Sequence, residues 1–337
     1  TMRERDYIRY LRGFQNRPRG VLVGIGDDAA VIKLPHEDLC VLTTDMLLEG
    51  THFCLKGDKG RLVGTGLPPQ AERLPAAMGS FYRRLKPAAT IEDVGRKAIA
   101  CNVSDVAAMG CKATLALVAI SFPVFTKMGI ARRLFQSMRE TALGYGVSII
   151  GGDTISGKGP LCICVTLLGR AEGLRPVTRS GARPGDAILV TGSLGGSILG
   201  RHLSFQPRME ESLYLNKNYH LHSMIDVSDG LSLDLGHIME ESKVGAVLYE
   251  EGVPVSRDAR RLSRRTGLSP LHHALTDGED YELLFTLDPR EAERLLKKNP
   301  LKVPVALIGH IRREKGLFLQ SPDGKLSRLK PQGYEHW

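Results

Sequence analysis

The sequence predicts a two-domain α/β protein. Three observations point there. The chain has 337 residues, and at roughly 100–200 residues per domain that is about two domains. Short β-branched or alternating apolar runs take turns with longer stretches of helical period. One segment, Gly173 to Asp186, carries Pro176, Gly181, Pro184 and Gly185 and reads as a connection. The expected domains are therefore 1–172 and 173–337.

In the first half, Ala29–Leu34 and Leu39–Thr44 read as strands. Thr90–Met109 reads as a helix, with Ala98, Ala100, Ala107 and Ala108 allowing close packing. Thr114–Phe122 is an apolar strand, and Ala131–Tyr145 is a helix closed by Gly146. Val147–Ile150 and Leu161–Gly169 are strands. In the second half, Ala187–Thr191, Met224–Val227, Ala246–Tyr249, Tyr281–Thr286 and Val303–Ile308 read as strands. Gly195–Leu203, Leu231–Ser242, Val255–Thr266 and Glu291–Lys298 read as helices. Residues 54–89 stand apart: nine Gly and Pro residues and seven basic against two acidic residues predict a long surface loop or partly disordered insertion.

Composition excludes several classes. The longest apolar run, Leu115–Ile120, is far below the roughly 20 residues of a membrane span. The charged start, Arg3-Glu4-Arg5-Asp6, leads into no signal-peptide core, so a cytoplasmic protein without membrane partners is expected. The six cysteines form no CxxC pair, and Cys162-x-Cys164 falls on one face of a strand, so buried thiols are expected. The formal charge of +9 raises the question of nucleic acid. A net +5 of it sits in residues 54–89, where Phe81 and Tyr82 adjoin Arg83 and Arg84. No RNP, KH, zinc-finger or basic-helix signature is present, and nucleic acid is disfavoured as a partner.

The aspartates carry the chemistry. They recur beside Gly, Ser or Thr at strand ends and turns: Gly26-Asp27-Asp28, Thr43-Thr44-Asp45, Ser104-Asp105, Gly151-Gly152-Asp153 and Asp226-Val227-Ser228-Asp229-Gly230. A single Asp in a turn is ordinary capping chemistry. Five such motifs brought together would place several negative charges in one site, which requires cations. Oxygen-only donors select hard ions, and Mg²⁺ keeps waters and bridges to phosphates. The neighbouring glycines let backbone N–H groups approach phosphate oxygens. The implied ligand is a nucleotide polyphosphate with several Mg²⁺ ions. No Walker A frame, protein-kinase motif set, GxGxxG turn, G-x-S-x-G or HExxH is present.

These motifs, together with Gly278-Glu-Asp-Tyr-Glu-Leu-Leu-Phe-Thr286, Thr178-Arg-Ser-Gly-Ala-Arg-Pro-Gly-Asp186 and Gly333-Tyr-Glu-His-Trp337, resemble the thiamine-monophosphate kinase family. The early motifs are similar to the wider superfamily of aminoimidazole ribonucleotide synthetase and selenophosphate synthetase. The resemblance is collinear over nearly the whole chain outside 54–89. It implies the aminoimidazole ribonucleotide synthetase-like fold of α+β type, with mixed sheets packed with helices, and a homodimer built on the N-terminal domains. It implies ATP as co-substrate, several Mg²⁺ ions, and phosphorylation of thiamine monophosphate to thiamine diphosphate. By matched position, Asp28, Thr43, Thr44, Asp45, Asp105, Asp153, Asp226 and Asp229 would serve the metals. Gly152, Asp153, Arg179 and Ser228 would contact ATP, and His52, Glu279 and Trp337 the thiamine phosphate. The chain departs from the family in having Phe135 where a Tyr is frequent, Asp277 before Gly278, and the 54–89 insertion.

No general base is expected. The attacking phosphate oxygen of a phosphomonoester is already ionised near neutral pH, its second pKa being about 6. Ring closure or selenophosphate formation on the same scaffold is the competing chemistry. The latter calls for a reactive Cys in a Gly-rich N-terminal loop, whereas the first Cys here, Cys40, lies in a strand.

Overall fold

The computed structural model describes Tyr10 and residues 20–34, 39–55 and 87–334. Most of the basic stretch, residues 56–86, lies outside them, as does Trp337. Two sheets, one from each half of the chain, organise the described residues.

The first sheet comprises β1 (Val21–Val23), β2 (Ala30–Lys33), β3 (Leu39–Leu48), β4 (Lys112–Pro123), β5 (Ser148–Gly157) and β6 (Cys162–Arg170), in the order β1-β2-β3-β6-β4-β5. Only β4 and β5 pair in parallel; the other neighbours are antiparallel. Helix α1 (Ile91–Ala108) starts at a capping box in which Thr90 and Asp93 each bond the other's backbone N–H, satisfying donors that a helix start would otherwise leave open. Helix α2 (Met128–Gly144) lies beside α1. The two approach closely at Gly95, where an added Cβ would stand 2.7 Å from the Leu134 carbonyl oxygen.

Val94, Ala98, Val103 and Val106 of α1 join Val41, Ile163, Val165 and Leu167 of the sheet in the first core. α1 is buried nearly all round, because its remaining faces meet the second half of the chain. Its buried residues are mostly small or apolar, with Lys97, Asn102 and Ser104 buried among them.

The second half contains β7 (Ala187–Thr191), α3 (Arg201–Ser204), α4 (Met209–Asn218), β8 (Leu221–Asp226), α5 (Leu231–Ser242), β9 (Gly245–Tyr249), α6 (Arg257–Thr266), α7 (Pro270–Thr276), β10 (Leu283–Leu287), α8 (Pro289–Lys298), β11 (Val305–Arg312), β12 (Leu317–Gln320) and β13 (Leu326–Leu329). Its sheet runs β13-β12-β9-β11-β7-β10-β8, with only β12 and β9 parallel. β7 and β10 are buried along their whole length. Both faces of this sheet are covered, by separate cores around Ile188, Val190 and Leu284 and around Leu189, Phe285 and Leu295. The mixed sheets packed with helices agree with the expected fold class.

Some element boundaries differ from expectation. The helix expected over Gly195–Leu203 is broken: a 3-10 turn at Ser197–Leu199 and the short α3 are separated by Gly200 at φ 139°. Tyr281 is not in a strand; it has φ 52°, and β10 begins at Leu283. β5 runs seven residues beyond Ile150. Of the cysteines, Cys40, Cys101 and Cys111 are buried, but Cys54, Cys162 and Cys164 are only partly so, since β6 turns 162 and 164 to the outer face of the sheet. Among the described residues no helix is long and apolar enough to cross a membrane.

A candidate metal and phosphate site between the two sheets

Four segments deliver carboxylates to one place. The turn before β2 brings Asp27 and Asp28, β3 brings Asp45, α1 brings Asp105, and the end of β8 brings Asp226. Oxygens of Asp28, Asp105 and Asp226 lie within 4.8 Å of one another. Strand alternation explains the contribution of β3: Thr43 and Asp45 point inward and Thr44 outward. Thr43 Oγ1 donates to Asp105 Oδ2 at 2.6 Å, and Ser104 Oγ donates to Asp226. Arg179 Nη2 donates to Asp28 Oδ1 at 2.6 Å. The other oxygen, Asp28 Oδ2, is buried with no hydrogen-bond partner, and so is Arg179 Nε.

Crowding and burial make these carboxylates hold their protons. Burial, and then the negative charge of Asp28, push Asp45 up to about 6 and Asp226 up to about 8. Asp27 is raised to about 7 for the same two reasons. Asp105 is raised well above the carboxylate range by burial and by Asp45, Asp226 and Asp28 in turn. An acceptor-only, all-oxygen donor set with an orphaned oxygen fits Mg²⁺.

The two late motifs form one double turn beside the cluster. Glu279 N donates to Ser228 O at 2.7 Å, and Asp280 N and Tyr281 N both donate to Val227 O. Gly278 at φ 72° fits against this turn, where an added Cβ would stand 2.7 Å from Ser228 O; only glycine is at ease there. The acids of the second motif have separate tasks. Glu282 accepts two bonds from Arg208 (2.7 and 2.6 Å) and one from Thr191. Asp280 holds Arg201 and the Gly195 N–H. Asp277, the departure from the family pattern, accepts from Gly196 N at 2.8 Å and meets His273 Nδ1 at 2.8 Å. Glu279 alone faces the first half, paired with Lys97.

The expected site residues thus divide. Asp28, Thr43, Asp45, Asp105, Asp226 and Arg179 come together. Ser228 and Asp229 lie on the adjoining turn, where Asp229 forms a second group with Asp234 and His237; Asp234 also accepts from the Asp229 and Gly230 N–H groups. His52 and Glu279 are joined through Lys97, which donates to the His52 carbonyl oxygen at 3.1 Å. His52 Nδ1 accepts from Leu48 N at 3.0 Å. Thr44, Gly152 and Asp153 are not in the cluster. Thr44 bonds Val165 O and meets Thr166 on the outer face of the first sheet. Gly152 and Asp153 sit on the exposed edge strand β5, three strand spacings from β3, about 14 Å away. Phe135 is on the exposed side of α2.

Sequence reasoning missed Lys97, Asp234, Arg201 and Arg208 as parts of this region, and it named Asp27 only within its motif. The one available signal was spacing: Lys97, Cys101 and Asp105 recur every four residues and share a helix face.

Known proteins resemble this chain over its length. Family models for AIR synthase related proteins match the N-terminal domain over residues 26–171 and the C-terminal domain over residues 183–321. The chain is 37% identical to the thiamine-monophosphate kinase of Rhodopirellula baltica, over 99% of this chain and 97% of that one. It is 32% identical to the enzyme of that name from Escherichia coli strain K12, over 98% and 96%. Among solved structures, "AaThiL complexed with AMPPCP and TMP" superposes with a TM-score of 0.77 at 26% identity, over 100% of this chain and 99% of that one. The thiamine-monophosphate kinase of Stenotrophomonas maltophilia K279a gives 0.68 at 29% identity, over 96% of each. Full-length similarity at this level, on a fold whose acid motifs converge, means that the chain belongs to the thiamine-monophosphate kinase family of the AIR synthase related proteins.

Proposed function

We infer that this chain is an ATP-dependent kinase that phosphorylates thiamine monophosphate to thiamine diphosphate. One observation carries the reading at the level of chemistry: buried carboxylates of Asp28, Asp105 and Asp226 meet within 4.8 Å, and Asp28 Oδ2 has no protein partner. Once ionised, such a set calls for cations, and cations there draw phosphates.

Asp28, Thr43, Asp45, Asp105, Asp226 and Asp229 are the residues of this chain that would hold Mg²⁺. When bound, Mg²⁺ neutralises the charge of two phosphate-bearing substrates brought together. A phosphate oxygen of thiamine monophosphate attacks the γ-phosphorus of ATP; a new P–O bond forms as the bond to the β,γ-bridging oxygen breaks, and ADP leaves. The attacking oxygen carries no proton at neutral pH, so the chain's task is positioning. Arg179, with its unpartnered buried Nε, is placed to meet a phosphate, and the Ser228 turn borders the same space. His52 and Glu279 form the acceptor end, with Trp337 assigned to it by family position.

A homodimer accounts for the remaining residues. The outer face of the first sheet carries Leu42, Met46, Leu115 and Leu117, all exposed. In register they form rows, Leu42–Leu168–Leu115 and Met46–Cys164–Ala119–Asp153. An apolar face of this extent suits a second copy. Across it, Thr44 of one copy and Gly152-Asp153 of the other can share a nucleotide site. The division at residues 172/173 and a cytoplasmic location, suggested by six cysteines in no disulfide, complete the reading.

The test is an ATP-consumption assay with thiamine monophosphate, with thiamine, and with no acceptor. Turnover with the monophosphate alone is expected; turnover with none of the three overturns the reading.

A further inference from the structure

Lys97 has no solvent exposure, which is rare for lysine unless it is paired. Its two partners both come from outside its own helix. The ammonium meets the Glu279 carboxylate, from the double turn of the second half, and the His52 carbonyl oxygen, from the loop after β3. One side chain therefore ties three segments together across the boundary between the sheets.

The helix makes this a question of spacing. Lys97, Cys101 and Asp105 stand at i, i+4 and i+8 on α1, so they line one face over about 12 Å. At one end Asp105 meets Thr43 and the carboxylate cluster. In the middle Cys101 Sγ donates to Tyr281 Oη at 3.1 Å, and Tyr281 stacks on Phe205 with ring centroids 3.8 Å apart. At the other end Lys97 holds Glu279. The Glu279 backbone is at φ 54° and Tyr281 at φ 52°, conformations that side-chain-bearing residues adopt only where their surroundings impose them. The turn is held from its own side by Val227 and Ser228, and from the opposite side by Lys97.

We propose that Lys97 is a positioning residue for the phosphate acceptor: by fixing Glu279 and the His52 loop on α1, it sets the distance between the acceptor end of the site and the metal end. The proposal rests on the kinase reading for its substrate, but its structural half is measurable without turnover. It predicts an effect on the acceptor and not on the nucleotide, which a merely structural lysine would not produce.

The experiment compares the full chain with Lys97→Met and Lys97→Arg. Steady-state kinetics are run with either substrate varied and Mg²⁺ saturating, and backbone hydrogen exchange is followed on the same samples. Lys97→Met is expected to raise KM for thiamine monophosphate about tenfold or more while KM for ATP stays within about twofold. Lys97→Arg, which keeps the charge, recovers part of the loss. Exchange quickens in Lys97→Met at Gly50–Phe53 and Gly278–Tyr281 and not within β7 or β10. An unchanged acceptor KM, an equal rise in both KM values, or unchanged exchange at those two segments overturns the proposal. If Lys97→Met does not fold, Lys97→Arg carries the test, because its longer planar head displaces Glu279 and moves the same KM in the same direction. If the parent protein turns over no thiamine monophosphate, the kinase reading fails, and the exchange comparison alone decides whether Lys97 holds the two segments.

Discussion

Asp105 shows most directly how a side chain serves this site. It accepts from Thr43 on β3 and shares its oxygens' neighbourhood with Asp28 and Asp226, so it joins the helix to both sheets. Asp105→Asn or Asp45→Asn keeps the size of the side chain and removes a charge that the proposed reading gives to Mg²⁺. Turnover should fall by on the order of 10²–10³, the usual cost of losing one preorganised electrostatic group, with unchanged circular dichroism. Near-parental turnover in a folded variant would remove these residues from the metal set. The same cluster fixes a pH dependence. Asp45, Asp27 and Asp226 are raised to about 6, 7 and 8, whereas an unfolded chain titrates Asp near 3.9. Between these values the folded state binds more protons, so stability is full below about pH 4 and is lost as pH rises through about 8. In a chelator, the melting temperature should therefore fall from about pH 5 to about pH 8.5. Added Mg²⁺ should raise it most at the alkaline end, because bound ions replace the protons. A melting temperature that climbs with pH in the chelator would contradict the cluster.

Helix α1 concentrates these relations in one element, and it is also where the sequence was most readable. Its expected span, Thr90–Met109, brackets the observed Ile91–Ala108, because the cap at Thr90 and the run of small residues are local signals. The convergence of the aspartate motifs was equally readable, and Asp28, Asp105 and Asp226 do meet within 4.8 Å. What composition could not convey was which face each residue takes. Thr43 and Thr44 are identical neighbours, yet strand alternation sends one to Asp105 and the other to the outer surface. Lys97 was invisible because a lysine reads as solvated until a distant Glu279 is known to meet it. The broken helix after Gly195 was misread for a similar reason: the Gly195 and Gly196 N–H groups are claimed by Asp280 and Asp277, some eighty residues later. The close crossing of α1 and α2 offers a test in which two effects compete. Gly95→Ala gains about 1 kcal/mol of helix propensity, but its Cβ would stand 2.7 Å from the Leu134 carbonyl oxygen, and overpacking costs about 1–3 kcal/mol. A backbone carbonyl cannot yield as a side chain can, so a net loss of about 1 kcal/mol is expected. It would appear as a lower urea midpoint at an unchanged slope; a higher midpoint would mean that the helices separate freely.

At the scale of the whole molecule, the unanswered demand is the outer face of the first sheet. Its inner face is paired with α1 and α2, and the second sheet is covered on both sides, but the rows through Leu42, Met46 and Leu117 face outward with side chains 38%, 59% and 47% exposed. Burying a leucine of this kind against another surface is worth about 1.5–3 kcal/mol when complete, and two copies would each contribute several. The same face carries Thr44 on β3 and Asp153 in the Met46 row, so association and the nucleotide site are coupled if the proposed homodimer is correct. Leu117→Asp places a charge in the middle of the face, where burial without a partner is costly, while leaving the inner core untouched. The variant should sediment as a monomer under conditions where the parent is a dimer. It should retain its melting profile at the level of one chain and lose turnover even though Leu117 touches none of the clustered carboxylates. If Gly152 and Asp153 serve the neighbouring copy, activity depends on dimer formation and rises with protein concentration. A monomeric Leu117→Asp chain that turns over like the parent would instead confine the whole site to one copy and leave Thr44 and Asp153 outside it.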